Sequence, residues 1–264
     1  MTTRRIRAGG RAVRHRVRVG AQAPMLPPLE LALPYYEVLD QEAIERIHDA
    51  SMRILEEVGI DFRDDEAIAY WKGARADVDG YRVRIDRALL MELIAKAPET
   101  FPLAARNPER SVPVGGRSMV FVPTYGSPFV LDFDNRRRYS TLEDLHAFHK
   151  LAHLSPSMHL SGGIICEPVD VAVPKRHLHV VYSLLRHSDK PFMGATTARE
   201  RAEDTVEMAK IAFGEDFVAQ NAVLTGVLNC NSPLVWDATM LDALKVYAAN
   251  NQAVIASPFV MAGA

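Results

Sequence analysis

Cys166 and Cys230 each close an apolar, β-branched run, Cys166 ahead of Glu167 and Cys230 between Asn229 and Asn231. Two thiolates at neighbouring strand ends, joined by a histidine, could bind zinc and activate a thiol or a water. Three further runs end in similar polar or aromatic groups, at Thr124-Tyr125-Gly126, Ala195-Thr196-Thr197 and Ser257-Pro258-Phe259. Hydroxyls and amides in such places orient a small polar ligand. They also cap helices and form turns, a role that fits Thr197 and Ser232 equally well. His146, His149 and His153 recur at i, i+3 and i+7 beside Leu142, Leu145 and Leu151. That stripe reads as packing rather than a ligand set, since no H-E-x-x-H arrangement accompanies it. His177 differs, because it opens a helix soon after Glu167 and could line the mouth of a site.

The elements that must position these groups are legible from periodicity. The runs at 119–125, 159–166, 191–197, 222–229 and 253–259 alternate with helical patterns at 141–154, 174–187, 199–213 and 237–250. Ser140-Thr141 with Asp144, Thr197 and Asp237 are plausible starts for three of those helices. Strands alternating with helices imply right-handed βαβ units and a parallel sheet. No G-x-G-x-x-G turn follows the first run, which argues against a dinucleotide fold and for a (β/α)8 TIM barrel. Residues 119–264 supply about five of its eight strands. Five strands cannot close a barrel, so the expectation is an incomplete barrel, truncated after the fifth strand.

A small α+β region, 35–118, precedes it. Asp40 reads as the N-cap of a helix carrying Ile44, Ile47, Met52, Ile54, Leu55 and Val58, with Gly59 as its stop. A short helix near 65–76, a strand at 81–85 and a helix at 88–97 follow. Residues 1–34 read as a disordered arm and a Pro-rich extended linker (Pro24, Pro27, Pro28, Pro34). Seven of the 31 basic residues lie within residues 1–20, which hold no acid, so the remaining 24 face 33 acidic residues. An acidic body argues against an extended nucleic-acid surface, and a solvated tail is the simpler account of the arm. No run of 18 uncharged apolar residues suggests a membrane span, and no apolar h-region suggests a secretory signal. Two cysteines in a chain of 264 residues, 48% of them hydrophobic, fit a reducing, cytoplasmic setting.

Alternation along the strands separates the candidates. Val223, Thr225, Val227, Asn229 and Asn231 share one face, and Ala222, Leu224, Gly226, Leu228 and Cys230 the other. Ser161, Gly163, Ile165 and Glu167 likewise oppose Leu160, Ile164 and Cys166. The polar members fall together in both runs, so that face should point into the barrel. Both cysteines then point at the helix layer, where they pack as small apolar residues.

The stretches STLEDLHAFHKLAHLSPSMHLSGG, EPVDVAVPKRHLHVVYSLLRHSDKPFMG, LNCNSPLVWDATMLDALKVYAANNQ and SPFVMAGA resemble the trimethylamine methyltransferase family, as do the lead-in LDQEAIERIHDASMRILEEVGIDF and the arginine-rich arm. The resemblance implies a (β/α)8 barrel nearly twice this length, of which this chain would be the N-terminal half, and a homo-oligomer in the full-length form. It implies transfer of a methyl group from a tertiary or quaternary amine to the cobalt of a corrinoid (cobalamin) on a separate corrinoid protein. No metal is expected to bind the chain directly. Some members act on trimethylamine with pyrrolysine, and others, lacking it, on glycine betaine. The pyrrolysine position belongs to the second half. A trimethylammonium head favours aromatic faces and a carboxylate, for which Tyr125, Phe259 and Glu167 are candidates, with Trp236 just outside. A substrate carboxylate would want donors, for which Asn229, Asn231, Thr196 and Thr197 are candidates. Glu167 has a structural rival role, pairing with Lys175 or Arg176. Two other readings stand beside this one: a zinc-dependent barrel methyltransferase using Cys166 and Cys230, and an inactive truncated fragment.

Overall fold

Asp40 opens the first helix as its sequence suggests, its carboxylate accepting from the Ala43 amide at 2.8 Å. The computed structural model describes residues 25–34, 36–230 and 234–258. The arginine-rich arm, Asn231 and Phe259 lie outside these. Helix α1, Gln41–Arg53, runs on through a π-turn at Ile54–Val58 and ends at Gly59. Helices α2, Asp65–Gly73, and α3, Arg87–Ile94, are capped by Asp64 and Asp86. The strands Ile60–Phe62, Arg82–Arg84 and Asp77–Asp79 form an antiparallel sheet. A fourth strand, Val235–Trp236, joins it in parallel from far along the chain, and Trp236 stacks near-parallel on Phe62 at 6.5 Å. The lead-in is therefore bound into the rest of the fold. Leu29–Glu30, expected to be linker, is a short strand pairing with Ser118–Met119 at the edge of a second antiparallel sheet.

The second part is α/β. Helices α4, Leu142–Leu154, α5, Val173–His187, α6, Arg199–Phe213, and α8, Ala238–Ala249, fall within one residue of the expected patterns. Helix α7, Glu215–Gln220, is an unforeseen short addition. Thr141 and Asp144 form a reciprocal capping box at α4, and Asp237 caps α8 by accepting from the Met240 amide at 2.8 Å. Thr197 is not a cap: Ala198 holds that position and makes no side-chain bond. The strands β1, Phe192–Gly194, β2, Leu224–Cys230, and β3, Ala253–Pro258, form a parallel sheet in that order.

Two expected strands are corrected. Residues 119–125 and 159–166 form no continuous ladder beyond Ser118–Met119. Pro123 has no N–H to contribute, and Gly162, at φ +86°, turns the chain out of extended geometry. They still lie where βα units would put them. His159 N donates to Phe121 O at 2.9 Å, Gly126 N to Ile164 O at 2.9 Å, and Met193 N to Gly162 O at 2.8 Å. A parallel bridge joins Ser127 and Cys166. Chain order thus remains the spatial order of these segments, but among the described residues the parallel sheet of βα units has three strands, not five, and no closed barrel forms.

The two faces of the sheet are unlike. Gly194 and Gly226, paired in register, face α8, where Tyr247 is fully buried and its hydroxyl donates to Ala195 O. Leu224, Leu228 and Phe192 pack on this helix side with Val206 and Leu184. Met193 and Val227 lie on the other side, against Leu103 and Leu160.

Candidate active site at the carboxyl ends of the strands

A cavity of about 280 Å³ opens at the carboxyl ends of β1 and β2, beneath the first turns of α5 and α6. Its size is just below the range of roughly 300–1,000 Å³ usual for small-molecule pockets. Tyr125, Glu167, Thr196, Thr197 and Asn229 line it, and so do Arg176, His177 and Arg201. Five strand-end candidates that span more than a hundred residues of sequence therefore meet at one cavity.

Local backbone explains each placement. The Gly126 amide bonds Ile164 O and the Glu167 amide bonds Ser127 O at 2.8 Å, which lays Tyr125 beside Glu167. Tyr125 is half-exposed, and burial of the rest pushes its phenol pKa upward. The Glu167 carboxylate pairs with Arg176, whose Nε and Nη2 also donate to Val171 O at 3.1 and 2.9 Å. Arg176 is thus the partner, not Lys175, and the charge of Glu167 is already balanced. Asn229 follows Val227 on the inner face of β2 and lies opposite Ser257 of β3. The Thr196 hydroxyl is spent on Val227 O at 2.9 Å, and the Thr197 hydroxyl oxygen accepts from Arg201 Nη1 at 2.8 Å.

Two side chains arrive with unused polar atoms. His177 is nearly buried, at 8% side-chain exposure, and its Nε2 lies 2.7 Å from Asp204 Oδ2. Its Nδ1 is buried without a hydrogen bond from the protein, as is Nε of Arg201. Arg201 did not stand out in the sequence, where an arginine in the first turn of a helix reads as surface. The available signal was its position four residues after Thr197 at a strand end.

The cysteines are separated from this cavity. Cys166 is buried in the core with Val180 and Val181, and Cys230 shares its strand face with Gly226 and Leu228. Burial raises both thiol pKa values, opposite to the shift that favours a thiolate ligand or nucleophile. Among the described residues, no three His, Cys, Asp or Glu side chains converge as a metal-ligand set. The histidine stripe divides: His149 is fully buried between Ser183 Oγ and Gly163 O, while His146 meets His187 edge to face at 5.0 Å.

Parallel βα units with a cavity of mixed polar and apolar lining at the strand carboxyl ends define an α/β protein. The chain belongs to the trimethylamine methyltransferase family, whose model matches residues 7–264. It is 44% identical over 232 residues to the glycine betaine methyltransferase of Desulfitobacterium hafniense (strain Y51), covering 88% of this chain and 48% of that one. It is 28% identical over 188 residues to the L-carnitine:corrinoid methyltransferase of Eubacterium limosum, covering 67% and 38%. Identity to the trimethylamine methyltransferase MttB of Desulfitobacterium hafniense (strain DSM 10664 / DCB-2) is 24% over 197 residues, covering 73% and 40%. The chain thus spans about half the length of the curated relatives it matches, or less. No helix of the described residues is long and apolar enough to cross a membrane.

Proposed function

We propose that this protein moves a methyl group from a quaternary amine of the glycine betaine kind to the cobalt of a corrinoid carried on a separate protein, in the cytoplasm. We read its parallel units as the first part of a (β/α)8 barrel. The observation that carries the reading is the strand-end cavity, which joins Tyr125, the Glu167–Arg176 pair, Thr196 and Asn229 at a volume suited to a small amine. Family membership and the names of the relatives support the reaction class.

The chemistry asks little of acid–base groups. The N–CH3 bond breaks, its electron pair stays on nitrogen, and a neutral tertiary amine leaves. The methyl carbon goes to nucleophilic Co(I), here a substrate supplied by the partner. The cavity has to hold the donor in line and exclude competing water. Tyr125 offers a ring face to the cationic head. Glu167 adds an oxygen nearby, with its charge shared by Arg176. Asn229 supplies donors.

The test uses the whole gene product with free cob(I)alamin and glycine betaine. Conversion to methylcob(III)alamin is read in the visible spectrum, with equimolar N,N-dimethylglycine by mass spectrometry. Transfer from trimethylamine alone would reassign the substrate. Transfer from neither donor would overturn the reading.

A further inference from the structure

We infer that the hairpin formed by Phe129–Leu131 and Arg137–Tyr139 is the surface on which the corrinoid-carrying partner docks. This role rests on the methyl-transfer reading and adds to it the place and chemistry of the contact. The ribbon grows out of the cavity wall. Tyr125 lines the cavity four residues before Phe129. The Glu167 amide donates to Ser127 O, and the Ser140 hydroxyl donates to Glu167 O. Both feet of the hairpin therefore hold Glu167, and the hairpin stands at the end of the sheet where the cavity opens.

The apolar face of this ribbon is the one turned to water. The cross-strand pairs Phe129–Tyr139 and Leu131–Arg137 share one face, and Val130–Arg138 the other. Val130 is buried in the main core, and Arg138 bonds both carboxylate oxygens of Asp144 at 2.6 and 2.7 Å. Leu131 and Tyr139 are exposed, Phe129 is half-buried with its ring centre 4.8 Å from that of Tyr139, and Phe133 at the tip is fully exposed. The tip is held in place. Asp132 Oδ1 accepts from the amides of Asp134 at 2.9 Å and Arg136 at 2.8 Å, and Asn135 is left-handed at φ +59°. A fixed turn thus presents Phe133 to water, and contiguous exposed apolar surface marks a contact site.

Composition, size and charge select the occupant. Aromatic rings beside an arginine are typical of interface cores. Five such side chains on a short ribbon cover less than the roughly 800 Å² per partner of a stable assembly. That suits a protein that must arrive with Co(I) and leave methylated, rather than a permanent second copy. Arg136 and Arg138 pair with Asp134 and Asp144. Arg137 instead lies over the Phe129 ring at 3.7 Å, and among the described residues no carboxylate is in ion-pair range of it. The docking face of the partner is therefore acidic, with an apolar pocket for Phe133.

The test titrates the whole gene product calorimetrically with the cobalamin-loaded corrinoid protein expressed with it in the same cells. Methyl transfer from glycine betaine is measured in parallel, with that protein or free cob(I)alamin as acceptor. Phe133→Ser should weaken binding of the corrinoid protein roughly tenfold to thirtyfold and leave transfer to free cob(I)alamin unchanged. Arg137→Glu should weaken binding most at low salt. Both side chains are exposed, so neither variant should melt earlier. No binding by the wild type, or unchanged binding by both variants, overturns the docking role. An equal loss with free cob(I)alamin overturns it too, because the hairpin would then serve the cavity itself. So does a dimer, seen by sedimentation, that Phe133→Ser dissociates without weakening the corrinoid protein; the face would then belong to a second copy. Binding that depends on Phe133 without methyl transfer to either acceptor would refute the proposed reaction and spare the docking role. Transfer to both acceptors with binding indifferent to Phe133 and Arg137 would do the reverse.

Discussion

The ring of Tyr247 occupies the place where any side chain on Gly226 would stand. A β-carbon there would lie 2.7 Å from Cδ2 of that ring and 3.0 Å from the Thr196 methyl. The absence of a side chain lets α8 settle onto β2 and brings the Tyr247 hydroxyl to Ala195 O, one residue before Thr196. Gly226→Ala should therefore destabilise the fold by about 1–3 kcal/mol through overpacking. Denaturant titration checks this. In the double variant with Tyr247→Leu, the two costs should add to less than their sum, because the smaller side chain removes the collision.

Lys245 ties the lead-in region to α8. Its ammonium lies 2.9 Å from both carboxylate oxygens of Asp64, 2.9 Å from Glu66 and 3.1 Å from Asp242. Burial pulls its pKa down, but these carboxylates outweigh burial and hold it above the ordinary lysine range. Asp64 is at the same time the N-cap of α2. Lys245→Met leaves nearly buried Asp64 without its cation and should cost about 3 kcal/mol. Hydrogen exchange should rise first in α2 and at residues 60–62. An even rise across the chain would show that the lysine does not act as a local tie.

His149 makes stability depend on pH. Gly163 O can only accept, so Nε2 carries the proton and Nδ1 accepts from Ser183, which fixes one neutral tautomer. Burial lowers its pKa to about 4 from an ordinary 6.5. Between these values the unfolded chain binds more protons than the folded one. Stability is therefore retained above 6.5 and falls as pH drops toward 4, by up to about 3 kcal/mol from this group. His149→Gln should flatten that dependence while lowering stability at pH 7.5. Denaturation midpoints at pH 7.5 and 4.5 provide the check.

What was legible in the sequence follows from how local the signal was. The helices announce themselves through period and caps, so Thr141, Asp144 and Asp237 mark starts that α4 and α8 use. Strand regularity is not local. Pro123 and Gly162 sit inside apolar runs, and hydrogen bonds to neighbouring segments decide how much ladder survives. Strand ends did locate Tyr125, Glu167, Thr196 and Asn229 at one cavity. Arg201 and the commitment of Arg176 to Glu167 depend on helix placement across the sheet, which side-chain alternation cannot show. Thr197 illustrates the limit: a hydroxyl before a helix reads as a cap, yet here it holds a guanidinium.

Asn229 and Leu228 are neighbours with opposite duties, and comparing them tests the two-faced reading of β2. Leu228 is fully buried on the helix side, so Leu228→Ala should cost about 2–5 kcal/mol with little effect on ligand affinity in the folded fraction. Asn229 is half-buried at the cavity wall and fills no core position. Asn229→Leu should weaken glycine betaine binding roughly tenfold, as loss of a hydrogen bond to a charged group would, while the melting temperature moves by only about 2 °C. Calorimetric titration and thermal melting of both variants separate the roles. If Asn229→Leu melts far earlier yet binds as before, the inner face of β2 is a packing surface and the cavity takes its ligand elsewhere.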